Sequence, residues 1–506
     1  MCNYKNERLQ TFLFLCIILW VKKMKKYILE ITAFLAGAIE MMLELIAARI
    51  LSPYVGSSNL IWTTIIGVML ISMSMGYWLG GKLADEKPKV NTLSILLILG
   101  AIFSALIPIL EVNFVSQLAM LLNNLELVAL ISAIIVFGVP SFIMASVSPY
   151  VVKLKDSDQK NIGKLSGKIS SISTLGSIVG TFIGGFILIP NFGVRTIVLS
   201  VTIILLVIAV LLYENKNKKF MGLISIVTIF VFGLQYLGLI MFKMYNPDII
   251  EDVDSEYSRI WVKKIDTGNI IYKTLYVDKG LESYINKDTN EMGAEYLKYY
   301  ELFNYFNPEA KNVLMIGGAA YTYPIHYLQT YEDKNIDVVE IDKKMTEIAK
   351  EQFGLDTNNE RLGIYHQDGR SFLNKTTNKY DAILLDAYKG LNAPFELTTY
   401  EATKKAYNCL NDNGIVITNI ISSLEGKDEK FIKYEYSTYK TIFDDVKVFR
   451  VKDIENTKKQ NLILIGIKGN ANTEYNDEYE NILKNEIKDF KSDYKILTDN
   501  YCPIGS

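Results

Sequence analysis

The chain has 506 residues, of which 50% are apolar, and a formal net charge of −2. That length exceeds one ordinary domain, and so large an apolar share with a positive mean hydropathy is high for a soluble protein. Charge near zero, with no basic block interleaved with aromatics, excludes nucleic acid as a partner, because nothing would neutralise its phosphates.

Four cysteines, Cys2, Cys16, Cys409 and Cys502, show neither disulfide-framework nor metal-ligand spacing. With His326 and His366 the only histidines, no metal is expected.

The apolar residues gather before about residue 243. Residues 11–21 are apolar but too few to span, and they precede Lys22, Lys23, Lys25 and Lys26. A signal-like segment, a partial span and sequence upstream of a start at Met24 are the readings, the last being preferred. Seven segments then approach or exceed the ~20 apolar residues that cross a bilayer core: 27–50, 59–81, 91–111, 127–152, 170–190, 195–213 and 220–242. They predict a multi-span membrane domain over 24–243, in contact with lipid. If every span crosses, the loops with Lys82, Lys87 and Lys89, then Lys153 to Lys168, then Lys216, Lys218 and Lys219 share one side with Lys22 to Lys26. That side is expected to be cytoplasmic, and everything after Lys243 then falls on the opposite face.

Gly176, Gly180 and Gly184 recur every fourth residue, as do Gly76 and Gly80, which predicts close helix approach. Glu40 and Glu44 lie one turn apart on the first span, where a carboxylate is costly unless paired or hydrated. A polar cavity or ion path, pairing with Arg49 or another helix, and snorkelling toward the interface are the three readings.

From Glu251 to about Thr289 short alternating runs, SRIWVKKI and IIYKTLYV, flank Asp266, Thr267 and Gly268, which predicts a small antiparallel sheet. A helical stretch follows around 292–306. Strands and helices then alternate, the strands being NVLMIG, DVVEI, GIYHQ, DAILLDA, GIVITNII, VKVFRV and NLILIGI. That order predicts a mostly parallel sheet covered on both faces.

Ligands of such sheets bind outside the carboxyl ends of the strands. The first strand ends in Gly317, Gly318, Ala319 and Ala320, the second in Glu340 with Asp342 beyond, the third in Asp368 and Gly369, and the fourth in Asp386. Small residues let a ligand approach backbone, and Glu340 is placed to accept both ribose hydroxyls. Three carboxylates would repel a pyrophosphate, so a nucleoside with a cationic centre, an S-adenosyl sulfonium, fits better than a dinucleotide.

The chain resembles the spermidine synthase-like polyamine aminopropyltransferases, in the variant with an N-terminal multi-span membrane domain. The resemblance is carried by LIAARILSPYVGSS and GYWLGGKLAD in the first half. In the second it is carried by LYVDKGLES, VLMIGGAA, VVEIDKKMTEIAKEQFGL, HQDGRSFL, YDAILLDAYKGLNAP and FELTTYEATKKAYNCLNDNGIVITNI. It implies a polytopic α-helical membrane domain, a small antiparallel β-sheet subdomain over 251–290 and a doubly wound α/β, methyltransferase-like (Rossmann-like) catalytic domain over 291–506.

By the same resemblance, decarboxylated S-adenosylmethionine is the co-substrate, no cofactor is held permanently, and methylthioadenosine leaves. Glu340 is implied to hold the donor ribose beside Gly317 and Gly318, Asp368 and Gly369 to meet adenine, and Pro394 to lie in the loop closing over the nucleoside. Asp386 is implied to be the proton acceptor. A homodimer is left open.

Three departures bear on the amine acceptor. Ala320 stands where the family's glycine loop carries an aspartate, Lys389 where its gating loop carries another, and Glu282 where it has glutamine. Glu282 and Tyr296 are the candidate replacements for an acceptor site, and the donor site is expected to be the more secure. A donor of cytosolic origin favours a cytoplasmic second half, and that chemistry is weighted over the lysine count. Methyl transfer, and transport or sensing without turnover, are the alternative functions.

Overall fold

The computed structural model describes residues 2–56, 58–122, 124–156, 161–214, 218–388, 394–471 and 476–503, with backbone only for 2–26, 219 and 221. The expectations placed on Lys216 and Lys389, and on the side chains of Cys2, Cys16 and Lys22 to Lys26, lie outside the described residues. The chain divides into two compact units, Met1–Pro247 with Val253–Arg259, and Asp248–Asp252 with Ile260–Ser506.

The first unit is helical. Its helices are α1 (Cys2–Val55), α2 (Asn59–Glu86), α3 (Val90–Leu121), α4 (Leu125–Lys155), α5 (Ile162–Ile183), α6 (Ile189–Leu212) and α7 (Lys218–Tyr245). Among the described residues six continuous helical runs are long and apolar enough to cross a membrane, and one of them, Ile162–Leu212, has 51 residues. At 1.5 Å per residue that run would be roughly 77 Å long, more than twice a hydrocarbon core. It is broken at Gly193, which takes φ 71° and ψ 157°, a conformation that only glycine adopts cheaply. The seven apolar segments read from the sequence therefore map onto six runs, with 170–190 and 195–213 on either side of the break.

The glycines act as their spacing implies. A Cβ on Gly176 would overlap the Phe34 carbonyl, and one on Gly180 the Ala38 backbone, so α1 and α5 touch main chain to main chain. Gly76 and Gly80 of α2 meet Phe142 and Ser146 of α4 in the same way. Arg49 does not pair with Glu40 or Glu44 through a described bond, because its guanidinium donates to the Glu256 carbonyl.

The second unit holds two sheets. The smaller is antiparallel, in the order β1 (Ile249–Asp254), β2 (Arg259–Asp266), β3 (Ile271–Val277) and β4 (Gly280–Asn286). Its inner face, with Ile260, Val262 and Leu275, packs on Ala320, Met345 and Ile348.

The larger sheet comprises β5 (Asn312–Ile316), β6 (Asn335–Val339), β7 (Leu362–Tyr365), β8 (Tyr380–Leu385), β9 (Leu410–Ser422), β10 (Asp445–Arg450) and β11 (Gln460–Ile467). They pair in the order β10-β11-β9-β8-β5-β6-β7, with β11 antiparallel to both neighbours and the pairs from β9 through β7 parallel. Successive strand residues alternate between two cores. Val313, Met315, Ala382 and Leu384 face one layer with Tyr323 and Tyr327, whereas Leu314, Ile316, Ile383 and Leu385 face another with Phe372, Ala406 and Ile432. This is the covered, near-continuously apolar pattern of a Rossmann-like sheet.

Since Gly180 sits against backbone while nothing lies near Gly222 of α7, the two positions should respond oppositely to added bulk. Gly180→Leu should destabilise the purified full-length protein by about 1–3 kcal/mol. Gly222→Ala should stay within about 0.5 kcal/mol of wild type. Thermal unfolding followed by circular dichroism compares them, and equal melting of both variants would mean that α1 and α5 do not pack at this face.

Candidate active site

The sheet order decides which strand ends meet. β8 lies between β5 and β9, so the turns after β5 and β8 and the last residues of β9 converge at one point of the carboxyl edge. Gly317, after β5, has φ 97°, and a Cβ there would strike the Asp386 carbonyl. Glycine is required on both counts. The next turn is held from β6. Glu340 Oε2 accepts from the Gly318 and Ala319 amides at 2.8 and 3.0 Å, and Oε1 accepts from the Asp342 amide at 2.9 Å. Burial nevertheless moves the Glu340 carboxyl above its ordinary range.

Asp386 follows β8 directly. Its Oδ2 accepts from the Tyr296 hydroxyl at 2.9 Å and its Oδ1 from Asn419 Nδ2 at 3.0 Å. Among the described bonds these oxygens cap no backbone turn. Burial raises its carboxyl to about 6, and the hydrogen bonds from Asn419 and Tyr296 hold it from rising further. Tyr300, one turn beyond Tyr296, stacks edge-on against Tyr296 at 5.9 Å, and its buried hydroxyl also helps to lower the Asp386 carboxyl.

Asp386, Glu282, Tyr296, Gly317 and Gly318 line one cleft of about 580 Å³. Glu282 Oε1 is buried without a partner. Burial first, then the charges of Asp386, Glu340 and Asp278, lifts its carboxyl to about 8. On the other wall stand Lys452 and Gln460, from the connection between β10 and β11 and the start of β11. Gln460 is 6% exposed, and its Nε2 is a buried donor with no acceptor.

Other residues singled out from the sequence stand apart. Asp368 is exposed, does not line this cleft, and caps the helix Gly369–Lys375 by accepting from the Ser371 amide at 2.7 Å. A Cβ on Gly369 would press on Ile316, which gives that glycine a packing reason. Pro394 lines a small cavity with Glu435 and Tyr439 that shares Tyr388 and Asn419 with the cleft. Ala320 is fully buried under the small sheet and is not among the residues lining this cleft. Asn419, Tyr300 and Gln460 were not singled out from the sequence. Asn419 had a signal, a polar side chain interrupting the apolar run GIVITNII, whereas the other two are identified only by the folded geometry.

Residues 300–457 match the spermine/spermidine synthase domain family. The match contains Gly317, Glu340, Asp386 and Asn419 and leaves Glu282, Tyr296 and Gln460 outside it. The chain is 23% identical to polyamine aminopropyltransferase 2 of Aquifex aeolicus over 414 residues, 77% of this chain and 78% of the relative. It is 27% identical to a probable polyamine aminopropyl transferase of Bifidobacterium longum over 42% of this chain and 46% of the relative. With a polyamine aminopropyltransferase of Alkaliphilus oremlandii the identity is 32%, over 28% of this chain and 52% of the relative, so the chain spans about half the length of these two. A solved structure of a probable spermidine synthase from Corynebacterium glutamicum aligns with 50% of this chain and 98% of its own, at 18% identity and a TM-score of 0.40.

The lifted Glu282 carboxyl has a consequence for stability. In the unfolded chain it titrates near 4.5 and in the folded chain near 8, so the folded state holds the extra proton between those values and loses stability as pH rises through them. Glu282→Gln should therefore match wild type at pH 4 and be more stable at pH 8.5, on the order of 1 kcal/mol or more. Denaturant titrations at the two pH values measure this, and an unchanged difference would mean that Glu282 is ordinarily solvated.

Proposed function

We propose, for a chain that belongs to the spermidine synthase-like polyamine aminopropyltransferases, that its second unit moves the aminopropyl group of decarboxylated S-adenosylmethionine to an amine. The observation that carries this is the Asp386 carboxylate, buried at the cleft and held by Tyr296 and Asn419. The amine nitrogen uses its lone pair to attack the propyl carbon beside sulfur. The carbon–sulfur bond breaks with its electron pair going to sulfur, and neutral methylthioadenosine leaves. The proton of the new ammonium passes to Asp386. Alignment of two bound substrates and one base suffice for this transfer, without a permanently bound cofactor.

Glu340 holds the donor ribose while bracing the glycine turn, since a carboxylate retains lone pairs beyond those taken by three amides. Asp368, Gly369 and Pro394 enclose the adenine end. Glu282 and Tyr296 face the acceptor.

The first unit is read as an integral membrane domain. The break at Gly193 supports two crossings within the 51-residue run, and seven crossings in all. Lysine-bearing loops then face the cytoplasm, and a cytoplasmic second unit requires one apolar segment to re-enter. The cytosolic origin of the donor is the basis for preferring that placement.

Asp386→Asn keeps shape and hydrogen-bonding capacity but removes the base. It should retain donor binding and lower transfer on the order of a hundredfold or more. Raising pH should restore part of the rate by deprotonating the amine in solution. Mass spectrometry of products after supplying the decarboxylated donor reads both outcomes. Full activity of the folded variant at neutral pH would remove Asp386 as the base, and S-adenosylhomocysteine formed from the intact donor would indicate methyl transfer instead.

The acceptor end of the cleft is two-faced. Asp386 suits an ammonium, whereas the unpartnered Gln460 Nε2 seeks a hydrogen-bond acceptor. An amine with an oxygen or neutral nitrogen at its far end satisfies both, and a short diammonium leaves Gln460 unpaired, which costs about 1–3 kcal/mol. Amino alcohols or ω-amino acids of matched length should therefore be used at least about tenfold more efficiently than putrescine. The ranking of kcat/KM values checks this, and a preference for putrescine would overturn it.

A further inference from the structure

Glu40 is left unexplained by the transfer chemistry. It lies on α1, is only 3% exposed, and its Oε1 is buried without a hydrogen-bond partner. It lines a second cavity of about 420 Å³, wholly within the helical unit, together with Tyr77 of α2 and Ser166, Ser170, Ser173 and Ser177 of α5. The serines fall at spacings of four, three and four residues, which places their hydroxyls along one face of α5 over roughly 16 Å.

Ser177 donates its own proton to the Gly37 and Ser173 carbonyls, both at 3.2 Å, and so presents lone pairs outward. Three described lysines nearby are already matched. Lys155 and Lys168 pair with Glu30, and Lys153 pairs with Asp85 at 2.8 Å.

From these observations we infer that the cavity is a binding site for a protonated primary amine, with the ammonium against Glu40 and the aliphatic chain along the serine face of α5. An anion is excluded by the carboxylate, with Glu44 one turn further along the same helix. An apolar ligand would leave the hydroxyls and Glu40 unsatisfied. A bare metal ion needs a tight shell of oxygens, and the volume here exceeds that many times over. An ammonium takes up to three acceptors, which one carboxylate and a row of hydroxyls supply. The amine is either a free aliphatic amine or the headgroup of an ethanolamine lipid.

The site is independent of the transfer chemistry, and its test separates the two. Full-length protein in nanodiscs of phosphatidylcholine and phosphatidylglycerol is dialysed against labelled spermidine without donor. Wild type should bind one more amine per chain than Glu40→Gln, or bind that amine at least about tenfold more tightly, the smaller end of what uncovering a buried partner does. Methylthioadenosine release on adding donor should be the same in both. Ser170→Leu, which fills the cavity and spares the carboxylate, should lose the same amine should Glu40→Gln fail to fold. In nanodiscs containing phosphatidylethanolamine, loss of this spermidine class identifies the lipid headgroup as the occupant, and its retention identifies the free amine. Equal binding by wild type and a folded variant, or displacement by sodium but not by choline at equal ionic strength, would overturn the inference.

Discussion

A carboxylate removed from water loses several kcal/mol of solvation unless hydrogen bonds replace what water gave. Asp386 meets that requirement with Tyr296 on one oxygen and Asn419 on the other. Each partner is delivered by a different element, and the arrangement exists only while all of them are in register. Asn419 depends on β9 pairing with β8, where Leu385 faces Thr418. Gly317 depends on β5 pairing with β8, where Ile316 faces Leu385. Tyr296 depends on the turn at Glu295–Glu301, whose Leu297 and Tyr300 are buried in one of the two sheet cores. A slip of one residue in either strand pair would turn Asn419 or the glycine turn away from the cleft.

Neighbouring acids divide the work through the same dielectric. Glu282 lies close enough to Asp386 and Glu340 that its ionisation is opposed by both, with burial the larger cause. Near neutral pH the pair is therefore unequal, with Asp386 largely ionised and Glu282 largely protonated. Two carboxyls pushed to different values supply a proton acceptor and a hydrogen-bond donor within one cleft.

Much of this was legible in the chain because the signals were local. The seven strands of the large sheet were marked by apolar runs, and the residues at their ends by abrupt changes to glycine or acid. Main-chain contact at Gly176 and Gly180 was announced by their spacing. What was not legible depends on chain-distant pairing. Nothing near Ala320 in sequence reveals that the small sheet covers it. The count of helices was ambiguous for a related reason, since a single positive φ at Gly193 decides whether 51 residues form one element or two.

The two walls of the cleft come from parts of the chain with different tolerance for change. Asp386 and the glycine turn follow central strands, where a substitution disturbs a core on each face. Lys452 instead lies in the connection between β10 and β11, the hairpin at the edge of the sheet, with Gln460 at its end. Segments such as this accept insertions and exchanges at small thermodynamic expense. Substrate preference can thus drift, in evolution or by loop grafting, without retuning the machinery that breaks the bond.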